Sequence, residues 1–472
     1  MSALWTAAEI VAATGGTGPT GWSASGVSID SRTVTAGDLF IALAGDTFDG
    51  HDFVVHALRR GAAGALVSRK PGGLPADAPL ILVPETLAAL TALGRAGRDR
   101  SKARVIAVTG SVGKTGTKEA IRRSLERQGR TVASAASLNN HWGVPLSLAR
   151  MPTDTAYGVF EIGMNHPGEI AVLTRLVRPD IAVITTISPA HLGFFASVDE
   201  IADAKAEIFQ GMPHTGVAVL NRDNPHFERL AAAARACGVS RILAFGEHAQ
   251  ASVRIIHSHL YSTASAVTAM VVDEIVDYCL SIPGRHWVIN SLAVMAAVRA
   301  ADADVSIAAA VMGSLEALDG RGRRHRIAVT GGEADLVDES YNANPDSMRA
   351  ALAVLGAIVP RSGGRRIAVL GDMLELGGAA SRLHAELAEP VLAAKVDLVF
   401  TVGREMEHLD RALPPARRGA HATTSAELVP ALAAALRPND VVMVKGSLGS
   451  RMADIVKPLL KGVREAALAT KG

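Results

Sequence analysis

The sequence predicts an α/β protein of three blocks whose sheets are mostly parallel. Three observations carry that prediction. The chain has 472 residues, 49% of them hydrophobic and 20% charged, against a prior of about 150 residues per domain. Short apolar runs of strand length alternate with helix-patterned segments, as when parallel strands are joined by crossover helices. Two stretches rich in charge or in Gly and Arg, Arg95–Arg104 and Asp319–Arg326, interrupt the pattern. They divide the chain into residues 1–102, 103–319 and 320–472.

In the first block Val27–Ile29, Leu39–Leu43, Gly64–Val67 and Leu80–Val83 read as short strands, and His51–Arg60 and Leu87–Arg98 as helices. The second opens with a buried-type strand, Arg104–Thr109, then a Gly-rich loop and a helix from Lys114 to Gln128. Strands at Gly158–Ile162, Ile181–Thr186 and Val217–Asn221 follow, with helices between them. Val253–Leu280 turns to hydroxyl-containing strand patterning, expected as an antiparallel edge; Ala-rich helices follow over Asn290–Ala301 and Ile307–Leu315. The last block repeats the alternation with strands at Glu333–Asp338, Arg366–Leu370, Leu398–Val402 and Asp440–Val444.

Composition removes several classes of function. Lys and Arg number 48 against 46 Asp and Glu, a net +2, too balanced for a surface built around nucleic acid. Aromatic residues are 4%, too few for a base-stacking platform along a single strand. Cys237 and Cys279 are the two cysteines, so neither a disulfide framework nor a thiolate metal site is expected. Met1–Thr20 lacks the basic start of a secretory leader, and the charge-free runs Ile181–Val198 and Ile255–Val272 are broken by Pro189, His191, Gly193, His257 and His259. A cytoplasmic protein with no membrane span is expected.

The strongest chemical signal is T-G-S-V-G-K-T, comprising Thr109, Gly110, Ser111, Val112, Gly113, Lys114 and Thr115. A strand precedes it and a helix follows. Glycines there let backbone N–H groups approach phosphate, and the helix N-terminus adds a favourable partial charge. Lys114 would reach the terminal phosphates and Thr115 would hold Mg²⁺. Val108 stands where the longer Walker pattern has its first Gly. Glu161, ending a strand, is placed where a carboxylate can meet that metal. His191 in S-P-A-H-L-G and Lys205 in D-A-K-A-E-I-F are further candidates. Polar segments of defined geometry are Asp30–Thr33, Asp49–Phe53, Asn139–Asn140, Asp338–Met348, Gly371–Gly377 and Lys445–Ser447; the second of them carries His51. Asp338–Met348 is too polar to be a strand.

Together these motifs resemble the Mur ligases, ATP-dependent enzymes that add amino acids to the peptidoglycan precursor. The match runs in order from Asp30 to about Arg451. The compact T-G-x-x-G-K-T loop is the family's own, which accounts for Val108. N-N-x-x-G-V-P-L, D-E-S-Y-N-A-N-P-D-S-M and V-L-G-D-M-L-E-L-G resemble the branch that joins D-alanyl-D-alanine to UDP-N-acetylmuramoyl-tripeptide. The alternatives are a sister ligase adding the third residue and a folylpolyglutamate-synthetase-like ligase. The third-residue enzyme shares the D-S-R and D-G-H patterns but typically carries D-N-P-R in its last domain, whereas D-N-P here lies at Asp223–Pro225 in the central block.

The resemblance implies a small N-terminal α/β domain for the UDP substrate, a central P-loop ATPase-like domain with a parallel sheet, and a C-terminal Rossmann-like domain. It implies ATP and two Mg²⁺ ions. Lys114 and Thr115 would serve the phosphates and the first ion, with Glu161 and His191 serving the second. Lys205 would carry an N-carboxylate that helps to hold the metal site. P-G-R-H-W-V-I-N resembles the adenine-side segment, with Asn290 the base contact and Trp287 where many members have Asn. Of Arg321, Arg323 and Arg324, Arg321 is favoured as the residue meeting the ATP phosphates. Asp338 would meet the ribose, Glu339 replacing an Asp found in many relatives. Ser31, Arg32 and His51 would meet the UDP end, Asn139 and Asn140 the muramoyl-peptide, and Asn342 and Asn344 the dipeptide. A monomer is expected.

Overall fold

Three main sheets, one after another along the chain, organise the computed structural model, which describes residues 3–45, 47–135, 137–189 and 192–469, with side chains to 462. His191 lies outside the described residues. The first sheet has four parallel strands in the order Gly26–Ser28, Asp38–Ile41, Gly64–Val67 and Leu80–Leu82. Beside it Trp5–Thr6 pairs antiparallel with Ser23–Ala24. The expected helix from His51 is a 3-10 turn, Gly50–Phe53, that runs into the α-helix Val54–Arg59.

The central sheet has nine strands. Toward one edge Ile181–Ile184, Arg104–Thr109 and Tyr157–Glu161 lie side by side, all parallel. These strands are almost wholly buried, because helices cover both faces, and they read as unbroken apolar runs. Helices Lys114–Glu126, Arg285–Ala300 and Val305–Met312 pack on one face; Glu169–Val177, Val198–Ala206 and Phe227–Ala236 pack on the other. The antiparallel edge expected over 253–280 is present as Val253–Leu260, Ser265–Val271 and Glu274–Leu280. Two strands of this sheet escaped the sequence reading. Thr131–Ala133 has three residues, too few to show periodicity, and Arg241–Gly246 joins the parallel part. The helix expected from Asn290 starts earlier, at Arg285.

The third sheet runs Arg323–Val329, Gly332–Glu339, Val441–Lys445, Arg366–Gly371, Leu398–Val402 and Arg418–Ala422. The first pair is antiparallel and the rest parallel. The polar segment 338–348 corrects its reading as strandless: Asp338 and Glu339 end a strand, and helix Pro345–Ala357 begins behind the Asn344 cap. Cross-strand pairing with Arg323–Val329 and Val441–Lys445 holds the two acidic residues extended despite their low strand propensity. Among the described residues no helix is long and apolar enough to cross a membrane.

The units are joined by specific contacts. Trp5 Nε1 donates to the Ala149 carbonyl (2.7 Å), and Arg150 Nε to the Val27 carbonyl (2.7 Å). On the other side the Tyr341 hydroxyl donates to Ser137 Oγ (2.7 Å), and the Gly193 N–H to the Glu375 carbonyl (2.8 Å).

Candidate active site between the central and C-terminal sheets

Strand Arg104–Thr109 has Tyr157–Glu161 on one side and Ile181–Ile184 on the other, with the chain running out to Thr131–Ala133 between them. This is a switch in strand order, and open α/β sheets bind ligands beyond the carboxyl ends of strands at such a point. A cavity of about 580 Å³ lies there, closed from above by the carboxyl end of the third sheet.

Its floor is the Gly-rich loop. Ser111 to Gly116 line the cavity, while Thr109 and Gly110 are not among the lining residues. Two glycines are required. Gly110 has φ +143°, and a Cβ on it would come 2.0 Å from Thr185 Oγ1. Gly113 has φ +88°, and its Cβ would come 2.8 Å from Asn290 Nδ2. The loop is braced by the Ser111 N–H on the Thr186 carbonyl (2.9 Å) and by Ser111 Oγ on the Ser188 carbonyl (3.0 Å). Helix Lys114–Glu126 opens directly behind Gly113, so free N–H groups face the cavity. Lys114 folds back to donate to the Gly110 carbonyl (2.6 Å). Burial lowers its pKa, Glu161 opposes that shift, and the positive Arg321 adds to it.

Glu161 is 1% exposed. Its Oε1 accepts from Asn139 Nδ2 (2.7 Å), whereas Oε2 is buried with no hydrogen-bond partner. An unsatisfied carboxylate oxygen beside a phosphate-binding loop fits a divalent cation. Among the described residues no three His, Cys, Asp or Glu side chains cluster to form a protein cage. A hard cation held by one carboxylate, a hydroxyl such as that of Thr115 and substrate phosphates suits Mg²⁺ chemistry. Lys205, in helix Val198–Ala206, is 2% exposed and does not line the cavity. Burial, with the nearby Lys114 charge adding to it, pushes its pKa well below the ordinary lysine value. Among the described residues no hydrogen bond or ion pair holds its amine.

The three hinge arginines differ in where they lie. Arg321 lines the cavity, lies 4.0 Å over the Tyr341 ring and acts electrostatically on Lys114. Arg323 pairs with Asp319 at the surface, and Arg324 donates to the Ser262 carbonyl. Arg321→Ala is therefore expected to lower kcat/KM for ATP roughly ten- to a hundredfold. Arg323→Ala should stay within about threefold, since an exposed pair is worth at most ~1 kcal/mol. Steady-state kinetics of both variants checks this.

The acidic pair separates as well. Asp338 accepts from the Gly320 and Ser340 N–H groups (both 3.1 Å), holds the hinge, and does not line the cavity. Glu339 does line it, paired with Lys445 (3.2 Å), whose ammonium also donates to the Asn342 carbonyl (3.0 Å). His286 joins them on the wall; burial lowers its pKa, Glu339 opposing and Lys445 adding to the shift. Glu339, Lys445, His286 and Tyr341 were not among the sequence candidates, although the K-G-S and D-E-S-Y motifs contain three of them.

Asn139, Asn140, Asn342 and Asn344 all line the cavity, yet each amide already has local work. Asn140 Oδ1 accepts from the Gly143 N–H (3.0 Å), Asn342 Oδ1 from the Ala343 N–H (2.9 Å), and Asn344 Oδ1 from the Ser347 N–H (2.9 Å). The N-terminal candidates lie outside this cavity. Ser31 is buried, and Arg32 is exposed and paired with Asp30 (2.7 Å). His51 is 3% exposed; Nδ1 meets Asp49 (2.6 Å) and Nε2 accepts from the Ser68 N–H (2.9 Å). Both ring nitrogens are thus used inside the first unit. His51→Ala should cost about 1–3 kcal/mol of stability and leave the catalytic rate within twofold, as measured by denaturant unfolding and steady-state kinetics.

A phosphate loop, an orphan carboxylate and a second α/β unit closing over them define a nucleotide-dependent ligase, and the chain belongs to the Mur ligase family. It matches the Mur ligase family catalytic domain over residues 23–97, the Mur ligase middle domain over 108–298, and the Mur ligase glutamate ligase domain over 322–448. It is 36% identical over 436 residues to the UDP-N-acetylmuramoyl-tripeptide–D-alanyl-D-alanine ligase of Escherichia coli (strain K12), covering 92% of this chain and 93% of that protein. The ligase of the same name from Rickettsia prowazekii (strain Madrid E) is 34% identical over 433 residues, covering 91% and 94%. Among solved structures, MurF from Acinetobacter baumannii superposes with a TM-score of 0.83 at 30% identity, covering 97% of this chain and 99% of that one. The MurF ligase of Thermotoga maritima in complex with ADP gives 0.76 at 26% identity, covering 93% and 98%.

Proposed function

We propose that this chain joins D-alanyl-D-alanine to the terminal carboxylate of UDP-N-acetylmuramoyl-tripeptide at the expense of ATP. The observation that carries this is the single cavity in which a phosphate loop faces Glu161 and the polar wall of the third sheet, in a chain aligned end to end with dipeptide-adding ligases. A carboxylate is a poor electrophile at neutral pH. Transfer of the γ-phosphoryl group to it gives an acyl phosphate, the dipeptide amine attacks, and phosphate leaves. The protein's part is to hold anions and to neutralise charge.

In this reading Ser111–Thr115 cradle the phosphates, Arg321 neutralises charge from the hinge, and Asn290, which lines the cavity over Gly113, contacts the base. Thr115 would hold the first Mg²⁺ and Glu161 the second, His191 joining Glu161 by resemblance, and the ions would screen phosphate charge. Glu339 takes the ribose role first given to Asp338, because it is the carboxylate that faces the cavity. Ser31 and Arg32 meet the UDP end, while Asn139, Asn140, Asn342 and Asn344 shape the peptide side. Lys205 is carboxylated: its neutral amine adds to CO₂ and sheds a proton, turning a buried cation site into an anion beside Lys114. The three units divide near residues 102 and 319. In this reading the chain works as a monomer in the cytoplasm.

The test is phosphate release with ATP, Mg²⁺ and UDP-N-acetylmuramoyl-tripeptide, with and without D-alanyl-D-alanine. Release that requires the dipeptide, with a product heavier by the dipeptide less water, is expected. Release driven equally by an unrelated amino acid would overturn the assignment.

A further inference from the structure

Arg321 lines the cavity and acts on Lys114, yet among the described residues no carboxylate, carbonyl or hydroxyl holds its guanidinium. What holds it is the ring of Tyr341, whose centroid lies 4.0 Å from the guanidinium carbon. The backbone around the two residues is fixed as one piece. The Gly320 N–H donates to the Asp338 carboxylate (3.1 Å), the Gly322 N–H to the Asp338 carbonyl (2.8 Å), and the Tyr341 N–H to the Gly320 carbonyl (3.1 Å). Gly320 has φ +70°, and a Cβ there would come 2.9 Å from that of Tyr341. The hinge therefore lies against the segment that follows strand Gly332–Glu339.

The hydroxyl of the same side chain reaches out of the third unit. It donates to Ser137 Oγ (2.7 Å) in the central one, and the Ser137 carbonyl accepts from the Asn139 N–H (2.8 Å). Asn139 is the amide that holds Glu161 Oε1. One tyrosine thus touches the hinge cation with its face and, through its hydroxyl, the turn that carries the partner of the Glu161 carboxylate.

We propose that Tyr341 is a positioning residue for phosphoryl transfer: its ring presents Arg321 to the phosphates, and its hydroxyl makes that placement depend on the third unit being seated on the central one. This rests on the reading of Arg321 as the cation that meets ATP. A carboxylate in place of the ring would spend the N–H donors of the guanidinium and cancel its charge. An aromatic face attracts the cation and leaves its in-plane donors free for phosphate oxygens.

The test is a pair of double-mutant cycles on the full-length enzyme, read as kcat/KM for ATP in the phosphate-release assay, with thermal unfolding of every variant. Tyr341→Leu is expected to lower kcat/KM roughly tenfold on its own and by less than about twofold in the Arg321→Ala background. Tyr341→Phe keeps the ring, so Arg321→Ala should cost that variant nearly what it costs the wild type. Tyr341→Phe and Ser137→Ala should each lose about fivefold, and together no more than either alone. A loss from Tyr341→Leu that is the same with and without Arg321 overturns the proposal, because the ring would then only brace the fold. Additive losses from Tyr341→Phe and Ser137→Ala overturn it as well, and this second cycle decides the matter should the leucine variant fail to fold. An Arg321→Ala enzyme with unchanged kcat/KM for ATP refutes the reading of Arg321 itself, and is told apart because position 341 is then untouched.

Discussion

Lys205→Ala is expected to cut dipeptide-dependent phosphate release by on the order of a hundredfold or more, with ADP binding kept. The argument starts from burial. A lysine that is 2% exposed and held by no partner among the described residues has its pKa driven down, with Lys114 adding to the shift. An unfolded chain binds the proton that the folded chain releases. Burial of this amine therefore costs stability progressively as pH falls from the ordinary lysine range towards the folded value. The neutral amine is also the species that adds to CO₂. Carboxylation removes the like-charge conflict with Lys114 and replaces it with an attraction. Bicarbonate should then raise the Tm of the wild type by linkage, because it binds the folded form alone. Lys205→Met, which keeps the volume and loses the amine, should show no bicarbonate effect on Tm and the same loss of turnover. A ¹³C-carbamate signal in wild type labelled with ¹³C-bicarbonate, absent from the variant, reports the adduct directly. A Tm indifferent to bicarbonate in both proteins would sink this assignment.

Where the sequence was legible, local physics sufficed. The strand, Gly-rich loop and helix over Arg104–Glu126 announce themselves, because a buried run, two glycines needing positive φ and a helical apolar face all fall within two dozen residues. The antiparallel edge after Val253 shows in its alternation. What was not legible is mostly a matter of which side of a strand faces the ligand. Asp338 and Glu339 are neighbours in an extended strand, so their side chains point to opposite faces. Only the placement of the third sheet over the first loop decides that Glu339 faces the cavity. The same holds for the hinge arginines. Arg321 precedes the strand and is free to turn inward, whereas Arg323 and Arg324 are fixed by pairing with Asp338 and Val337. Asn342 and Asn344 are amides in an unusual loop that lines the cavity, and their type alone does not separate ligand contact from the capping and turn formation that draw on the same residues. Lys445 was hidden differently: its role depends on the register that sets it beside Glu339, 106 residues away.

Glu161→Gln should separate activity from stability, cutting the first sharply and leaving the second almost unchanged. In the wild type the strand end brings Glu161 to the switch point; Ser134 Oγ accepts from its N–H (3.0 Å), and Asn139 occupies Oε1. Oε2 is left buried with no hydrogen-bond partner, which costs the free protein roughly 1–3 kcal/mol. Glutamine has the same shape and keeps an oxygen for Asn139, but it sets an amide N–H₂ where Oε2 lay and withdraws the charge that faces Lys114 and Lys118, so without nucleotide or metal the variant's stability should stay within about 1 kcal/mol of the wild type. Activity should fall by on the order of a hundred- to a thousandfold, and the Mg²⁺ concentration for half-maximal rate should rise. There is a second route to the loss. Glu161 opposes the downward shift in the pKa of Lys114, so without it the loop lysine holds its proton less firmly. The rate of the variant should then improve at lower pH, where Lys114 is again charged, while the wild type gains nothing from acid. Thermal unfolding, Mg²⁺ titration and the pH–rate profile test these three statements separately. An unchanged Mg²⁺ requirement would remove Glu161 from the metal site, whatever became of the rate.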